Sequence, residues 1–207
     1  MMELIDKIED LKNSDIKNII DKRINQFKKI DKKSNDELFE EMCFCILTAN
    51  YNAEKTIQIQ EEIGTCFFND TEDKIAERLK NYGHRFPQIR ANYIHSSKSC
   101  KEKLSSVIDF HDKNAIREWI VKNVKGLGYK EASHFLRNIG FDDFAIIDFH
   151  IIDILVKNKV IQKPKSLTKN KYLEIERKLK NLADETGLTL AELDLYLWYM
   201  ETGKILK

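Results

Sequence analysis

Two prolines, Pro87 and Pro164, and seven glycines are all the strong backbone breakers in a chain of 207 residues. A protein of many short strands needs a turn about every 8 to 12 residues, and this chain lacks the residues to make them. Helices tolerate long intervals between breaks, so the sequence predicts an all-α protein. Hydrophobic residues at 42% suffice for a core at this length, which argues against disorder. No apolar run approaches the roughly 20 residues of a membrane span. The opening MMELIDKIEDLKNSD is acidic and polar where a signal peptide is basic and then apolar, so a cytoplasmic protein is expected. Cys43, Cys45, Cys66 and Cys100 match no zinc-ribbon spacing and read as buried thiols, with no metal site. With 35 Lys and Arg against 34 Asp and Glu the net charge is +1, so nucleic-acid binding would require a local patch.

Apolar positions recur at helical spacing through Leu4, Ile8 and Leu11 and again through Ile16, Ile20, Ile24 and Phe27, predicting two helices parted near Asn13-Ser14. Ser34, three residues before Glu37, starts a segment whose part from Leu38 to Ala49 is apolar nearly all round and therefore central to a core. Helices are expected over 53–63, 71–81, 88–104, 115–123, 129–139, 149–158, 171–185 and 190–202. Thr71, Asp112, Asp148 and the Thr189/Glu192 pair serve as N-terminal caps. Ile146-Ile147 reads as a short extended piece. No repeat, low-complexity stretch or interdomain linker is visible.

The segment VKGLGYKEASHFLRNIG, residues 124–140, carries the chemistry. A Gly126-Leu127-Gly128 turn between two helices exposes backbone N–H groups at a helix N-terminus, a nest suited to phosphate. From Lys113 to Arg137 the chain holds six positive residues against Glu118 and Glu131, a local net charge of +4. Such a patch binds the DNA backbone without reading bases. Lys130 sits in the first turn after the hairpin, where the helix macrodipole favours its deprotonated form. The helix carries the chain about 14 Å away from Lys130, and residues 141–147, if extended, return it roughly 23 Å. Asp148 can thus come back toward Lys130, and an amine nucleophile with a carboxylate suits attack on a sugar C1′ and Schiff-base chemistry. His134, four residues on from Lys130, shares its helical face. Spacing alone leaves two functions open: an enzyme, or a DNA-binding hairpin in which Lys130 merely contacts phosphate.

GLGYKEA, followed eighteen residues after its lysine by the aspartate of IIDFH, resembles the helix-hairpin-helix and loop-aspartate signature of base-excision DNA glycosylases in their lysine-bearing, bifunctional branch. The LTANYNAEKT segment, the all-helical length and the terminal lysine resemble the archaeal-type 8-oxoguanine DNA glycosylase/lyases, the second Ogg family, over essentially the whole chain. The loop 140–147 lacks the proline common in that signature, and the four-cysteine iron–sulphur motif of endonuclease III relatives is absent.

The resemblance implies a two-lobed helix-hairpin-helix glycosylase fold with its active site in the cleft between lobes, one formed by 1–32 with 130–207 and the other by 33–129. It implies excision of 8-oxoguanine through a lysine Schiff base and nicking of the abasic site by β-elimination. A same-fold enzyme for another lesion is the alternative. Lys130 matches the nucleophile, Asp148 the assisting carboxylate and His150 a supporting histidine. Lys125, Gly126 and Gly128 match the backbone-binding hairpin. His134, Trp198 and Lys207 would line the base pocket, with Trp198 stacking on the extruded base. Asn50 matches the residue wedged into the duplex, and Lys55 a reader of the opposite base. The implied partner is double-stranded DNA containing 8-oxoguanine, with no membrane association, in a nucleoid-associated monomer. No organic cofactor or iron–sulphur cluster is implied, while a monovalent cation at the hairpin is compatible with the pattern.

Overall fold

The computed structural model describes residues 2–207, and these form thirteen α-helices and one 3-10 turn without a strand among the described residues. Helices α1 (Met2–Lys12) and α2 (Ile16–Lys28) part at Asn13-Ser14, where both side chains bond back to carbonyls of the preceding turn and compete with helix continuation. Helix α3 (Asn35–Thr48) starts at Ser34, whose hydroxyl accepts the Glu37 N–H at 3.2 Å. Asn52 caps α4 (Ala53–Ile63). The four-residue α5 (Cys66–Asn69) follows, too short to leave a periodic signal. Thr71 caps α6 (Glu72–Asn81).

The single helix expected over 88–104 is instead α7 (Pro87–Ser97), a 3-10 turn (Lys98–Lys103) and α8 (Leu104–Ile108). Ser97 donates its hydroxyl to the Tyr93 carbonyl at 2.7 Å, a back-bond that bends helices, and Lys98 Nζ is drawn to the Asp70 carbonyl at 2.5 Å. Helices α9 (Lys113–Asn123) and α10 (Tyr129–Asn138) flank the Gly-Leu-Gly turn. Asp148 caps α11 (Phe149–Lys157), Thr168 caps α12 (Lys169–Thr186), and the Thr189/Glu192 capping box opens α13 (Leu190–Thr202). Ile146-Ile147 lies in irregular chain and pairs with no strand.

The chain divides into two units, Met1–Lys29 with Leu136–Lys207, and Ile30–Phe135. The divisions fall after Lys29 and inside α10, between Phe135 and Leu136, and not at 32/33 and 129/130 as the family resemblance implies. In the central unit Leu38, Phe39, Met42, Phe44, Ile46 and Leu47 of α3 are fully buried, and α4, α5, α7, the 3-10 turn and α8 pack on this helix. Each such side chain contributes about 1.5–3 kcal/mol on burial. Cys43, Cys45 and Cys100 are buried thiols, and burial pushes the Cys43 thiol up from its usual range; Cys66 is half-buried, contrary to expectation. In the terminal unit α2 and α13 share a core of Ile20, Ile24, Phe27, Ala191, Leu195 and Tyr196. Arg137 is buried there, paired with Asp194 and placed over the Phe27 ring at 4.9 Å.

Candidate active site

In the central unit the hairpin presents Lys130 in the first turn of α10, its side chain 23% exposed and its amine 3.8 Å from the Glu131 carboxylate. Two hairpin N–H groups already have acceptors: Leu127 bonds to the Val124 carbonyl at 3.3 Å, and Gly128 to Glu131 Oε2 at 3.3 Å. The nest expected to be open at Gly128 is therefore closed by a carboxylate three residues on. Lys125 extends its amine to Asn92 Oδ1 at 2.8 Å and over the Tyr93 ring at 5.6 Å, keeping its charge at the surface beside a neutral partner.

The charged patch is smaller than counted from sequence, because Arg117 and Arg137 are buried. Arg117, 2% exposed, lies over the Tyr129 ring at 5.2 Å and donates to Ser133 Oγ at 3.3 Å, bracing α9 against α10 from within. Lysines 113, 122, 125 and 130 are left to face solvent wholly or in part. His134 follows Lys130 by one turn, but it is only 7% exposed and meets the Phe44 ring edge-on at 5.8 Å. Its surroundings are those of a core residue.

Asn50 is exposed at the end of α3 and adopts φ +57, a left-handed conformation that Asn tolerates better than most residues. Lys55 is exposed in the first turn of α4, its N–H held by Asn52 Oδ1 at 2.9 Å. His84 is buried beneath this loop, and burial pushes its imidazole pKa below the usual histidine range, helped by the nearby Arg90.

In the terminal unit Asp148 accepts the Ile151 N–H at 3.0 Å as the cap of α11. The segment leading to it is pinned from α12: Glu176 accepts the Ala145 N–H at 3.0 Å, while Tyr172 donates its hydroxyl to the Ala145 carbonyl at 2.6 Å and accepts from the Ile147 N–H at 3.3 Å. Gly140 turns the chain into this segment at φ +89, where a Cβ would stand 3.0 Å from the Lys28 Cα. No proline is required when side chains of α12 fix the loop. Trp198, half-buried on α13, meets His150 edge-on at 5.1 Å, and Phe149 stacks on His150 at 3.8 Å with 66% of its own surface exposed. Phe149 was not singled out from sequence; an exposed ring directly after the cap aspartate was the available signal. Beyond Gly203 the chain is irregular, with Ile205 packed against the α2–α13 core and Lys207 half-buried. Among the described residues no cluster of three or more His, Cys, Asp or Glu is placed to hold a metal.

The family model described as 8-oxoguanine DNA glycosylase matches residues 20–188, a span that includes the hairpin, Lys130 and Asp148. The chain belongs to this family. The glycosylase is 54% identical over 207 residues to the 8-oxoguanine DNA glycosylase/AP lyase of Methanocaldococcus jannaschii, with all of both chains covered. The crystal structure of that relative in complex with 15mer DNA containing 8-oxoguanine superimposes with a TM-score of 0.96, covering 100% of both chains. The 8-oxoguanine DNA glycosylase of Thermotoga maritima, 38% identical, superimposes with a TM-score of 0.94 over 100% of this chain and 99% of its own. The fold is thus the all-α helix-hairpin-helix fold of these enzymes.

The two hairpin glycines of the glycosylase differ in what they tolerate. Gly126 sits at φ +89, and a Cβ there would lie 2.2 Å from the Tyr93 ring, the ring that also carries Lys125. At Gly128 the nearest atom to a Cβ is Glu131 Oε2 at 3.4 Å, and the backbone is not left-handed. Gly126→Ala should therefore weaken binding to damaged and undamaged duplexes alike by about tenfold, the equivalent of ~1.4 kcal/mol, while Gly128→Ala stays within about threefold. Fluorescence anisotropy on both duplexes measures this; a loss confined to damaged DNA would place the hairpin in base recognition.

Proposed function

We propose that this enzyme excises 8-oxoguanine from double-stranded DNA and then cleaves the abasic strand, with Lys130 as nucleophile. The observation that carries the reading is Lys130 itself, placed in the first turn of α10 directly behind the Gly-Leu-Gly hairpin in a chain of this family. The unprotonated amine attacks C1′ of the flipped nucleotide and the glycosidic bond breaks, the base leaving with its electron pair and taking up a proton. Opening of the sugar ring gives an iminium ion between Lys130 and C1′. Loss of a C2′ proton then expels the 3′ phosphate, and water releases the lysine. Asp148 carries negative charge toward the cation that develops at C1′ and takes the proton of the attacking amine.

Extruding a nucleotide costs a few kcal/mol, offset by stacking and by backbone contacts. Trp198, held by the His150 edge, offers the stacking face; Lys125 and the Gly126–Gly128 turn hold the backbone; Asn50 occupies the gap, and Lys55 faces the opposite base. His134, buried against Phe44, supports α10 from behind. The enzyme acts in this reading as a nucleoid-associated cytoplasmic monomer, without an organic cofactor or iron–sulphur cluster, and a monovalent cation at the hairpin is compatible with it.

Lys207 is assigned to the edge of the base, where its ammonium donates a charge-assisted hydrogen bond. One such bond contributes about 1.5–3 kcal/mol, so Lys207→Met should slow excision of 8-oxoguanine roughly 10- to 100-fold. Cleavage of a preformed abasic site, which has no base to recognise, should continue at the wild-type rate. Side-by-side rates on the two duplexes test both the residue and the function. Equal losses on both would return Lys207 to a structural role, and a wild-type protein inert on both duplexes would leave the hairpin a DNA-binding module.

A further inference from the structure

The loop that carries Asn50 is tied down by more bonds than an exposed turn requires, and most of the ties come from one neighbouring segment, residues 83–90. The carbonyls of the last two residues of α3 and of its cap each have a donor. His84 Nε2 donates to the Leu47 carbonyl at 3.0 Å, the Tyr51 N–H to Thr48 at 3.0 Å, and Arg90 Nη2 to Ala49 at 2.5 Å. The Tyr51 ring lies on the His84 imidazole at 4.1 Å, and its hydroxyl donates to the Gly83 carbonyl at 3.1 Å. On its other side His84 Nδ1 accepts the Phe86 N–H at 3.1 Å, which fixes the neutral, Nε2-protonated tautomer. The depressed pKa of the buried imidazole agrees with that state. Phe86 is half-exposed beneath the Arg85 guanidinium at 4.9 Å, so one histidine holds both the Asn50 loop and the adjoining turn by its two ring nitrogens.

We propose that His84, assisted by Arg90, is a positioning residue for base extrusion: it keeps Asn50 in its left-handed conformation before the duplex arrives. The proposal rests on the assignment of Asn50 as the duplex wedge. A left-handed residue other than glycine persists only where its surroundings hold it. A loop ordered in advance loses no freedom when the base leaves the stack, whereas a loose loop must be ordered at that moment and slows the step. The effect should be confined to extrusion, since no stacked base has to be displaced at a site that is already abasic.

Three variants test this. His84→Phe keeps ring volume and the stack on Tyr51 but removes both hydrogen bonds; His84→Gln restores a donor near the Nε2 position. Tyr51→Phe removes only the tie to Gly83 and leaves the buried ring pair in place. Single-turnover excision of 8-oxoguanine, cleavage of a preformed abasic duplex, and the fluorescence rise of 2-aminopurine beside the lesion are read together with thermal melting. His84→Phe should slow excision and the fluorescence rise about 10- to 100-fold, with abasic cleavage within about twofold of wild type. His84→Gln should recover most of that loss, and Tyr51→Phe should show a smaller loss in the same steps. Parallel loss of excision and abasic cleavage, or unchanged fluorescence kinetics in His84→Phe, would overturn the positioning role. Should His84→Phe not fold, wild-type extrusion in Tyr51→Phe would overturn it equally. Asn50→Ala separates the two failures: if it extrudes the base normally the wedge assignment is wrong, and if it is slow while the His84 variants are normal only the positioning role is.

Discussion

Lys130→Gln is expected to abolish both base release and borohydride trapping while leaving duplex binding and folding intact. Glutamine has nearly the length and the helix propensity of lysine. Position 130 is partly exposed, and its ion partner Glu131 stands at 3.8 Å, so little packing is lost. The stability change should stay within about 0.5 kcal/mol. The amide nitrogen cannot form an iminium ion, and removal of a nucleophile typically lowers turnover by about 10⁴-fold or more. Wild-type protein incubated with an 8-oxoguanine duplex and borohydride should give a covalent protein–DNA band, because reduction turns the iminium into a stable secondary amine. The variant should give none. A trapped adduct in Lys130→Gln would assign the chemistry to another amine, with Lys125 the nearest in sequence.

The second large effect concerns Asp148, whose two roles can be separated by choice of substitution. As a cap it accepts the Ile151 N–H at 3.0 Å, a role asparagine fills about as well. As a carboxylate it supplies charge that asparagine lacks. Asp148→Asn should therefore melt within a few tenths of a kcal/mol of wild type yet lose roughly 10²- to 10⁴-fold in turnover. Asp148→Ala should lose the same activity and a further ~1 kcal/mol of stability. Thermal melting and single-turnover rates on the three proteins decide the matter. An Asp148→Asn enzyme of normal rate would reduce the residue to a cap, and Phe149 and His150 would then owe their placement to α11 alone.

Much of the helical framework was legible because its signals act over a few residues. Ser34, Thr71, Asp112, Asp148 and Thr189 each cap the helix that their spacing announces, since a cap is a bond to an N–H two or three positions on. The breaks at Asn13-Ser14 and at the Gly-Leu-Gly turn are local for the same reason. The misread stretch 88–104 shows the boundary of that logic: its helical periodicity is real, but Ser97 bonds back to Tyr93 and Lys98 reaches Asp70, twenty-eight residues away.

The all-helical class, the hairpin with Lys130 behind it, the aspartate that opens α11 and the family they belong to all follow from the order of residues along the chain. What surrounds those residues is set by the packing of distant helices. Charge counted along the chain treated Arg117 and Arg137 as surface cations, yet each is buried because a distant partner, Ser133 or Asp194, waits for it in the fold. Helical spacing put His134 beside Lys130, but Phe44, ninety residues earlier, turns it into the core. Nothing near Gly126 in sequence announces that Tyr93 lies against it, and nothing near Asn50 announces His84. Phe149, His150 and Trp198 likewise form one aromatic cluster from two helices. Capping and turn chemistry are written in neighbouring residues because hydrogen bonds there span a turn or less. Burial, stacking and tautomer choice depend on which side chains meet across helices, and spacing along the chain does not encode those meetings.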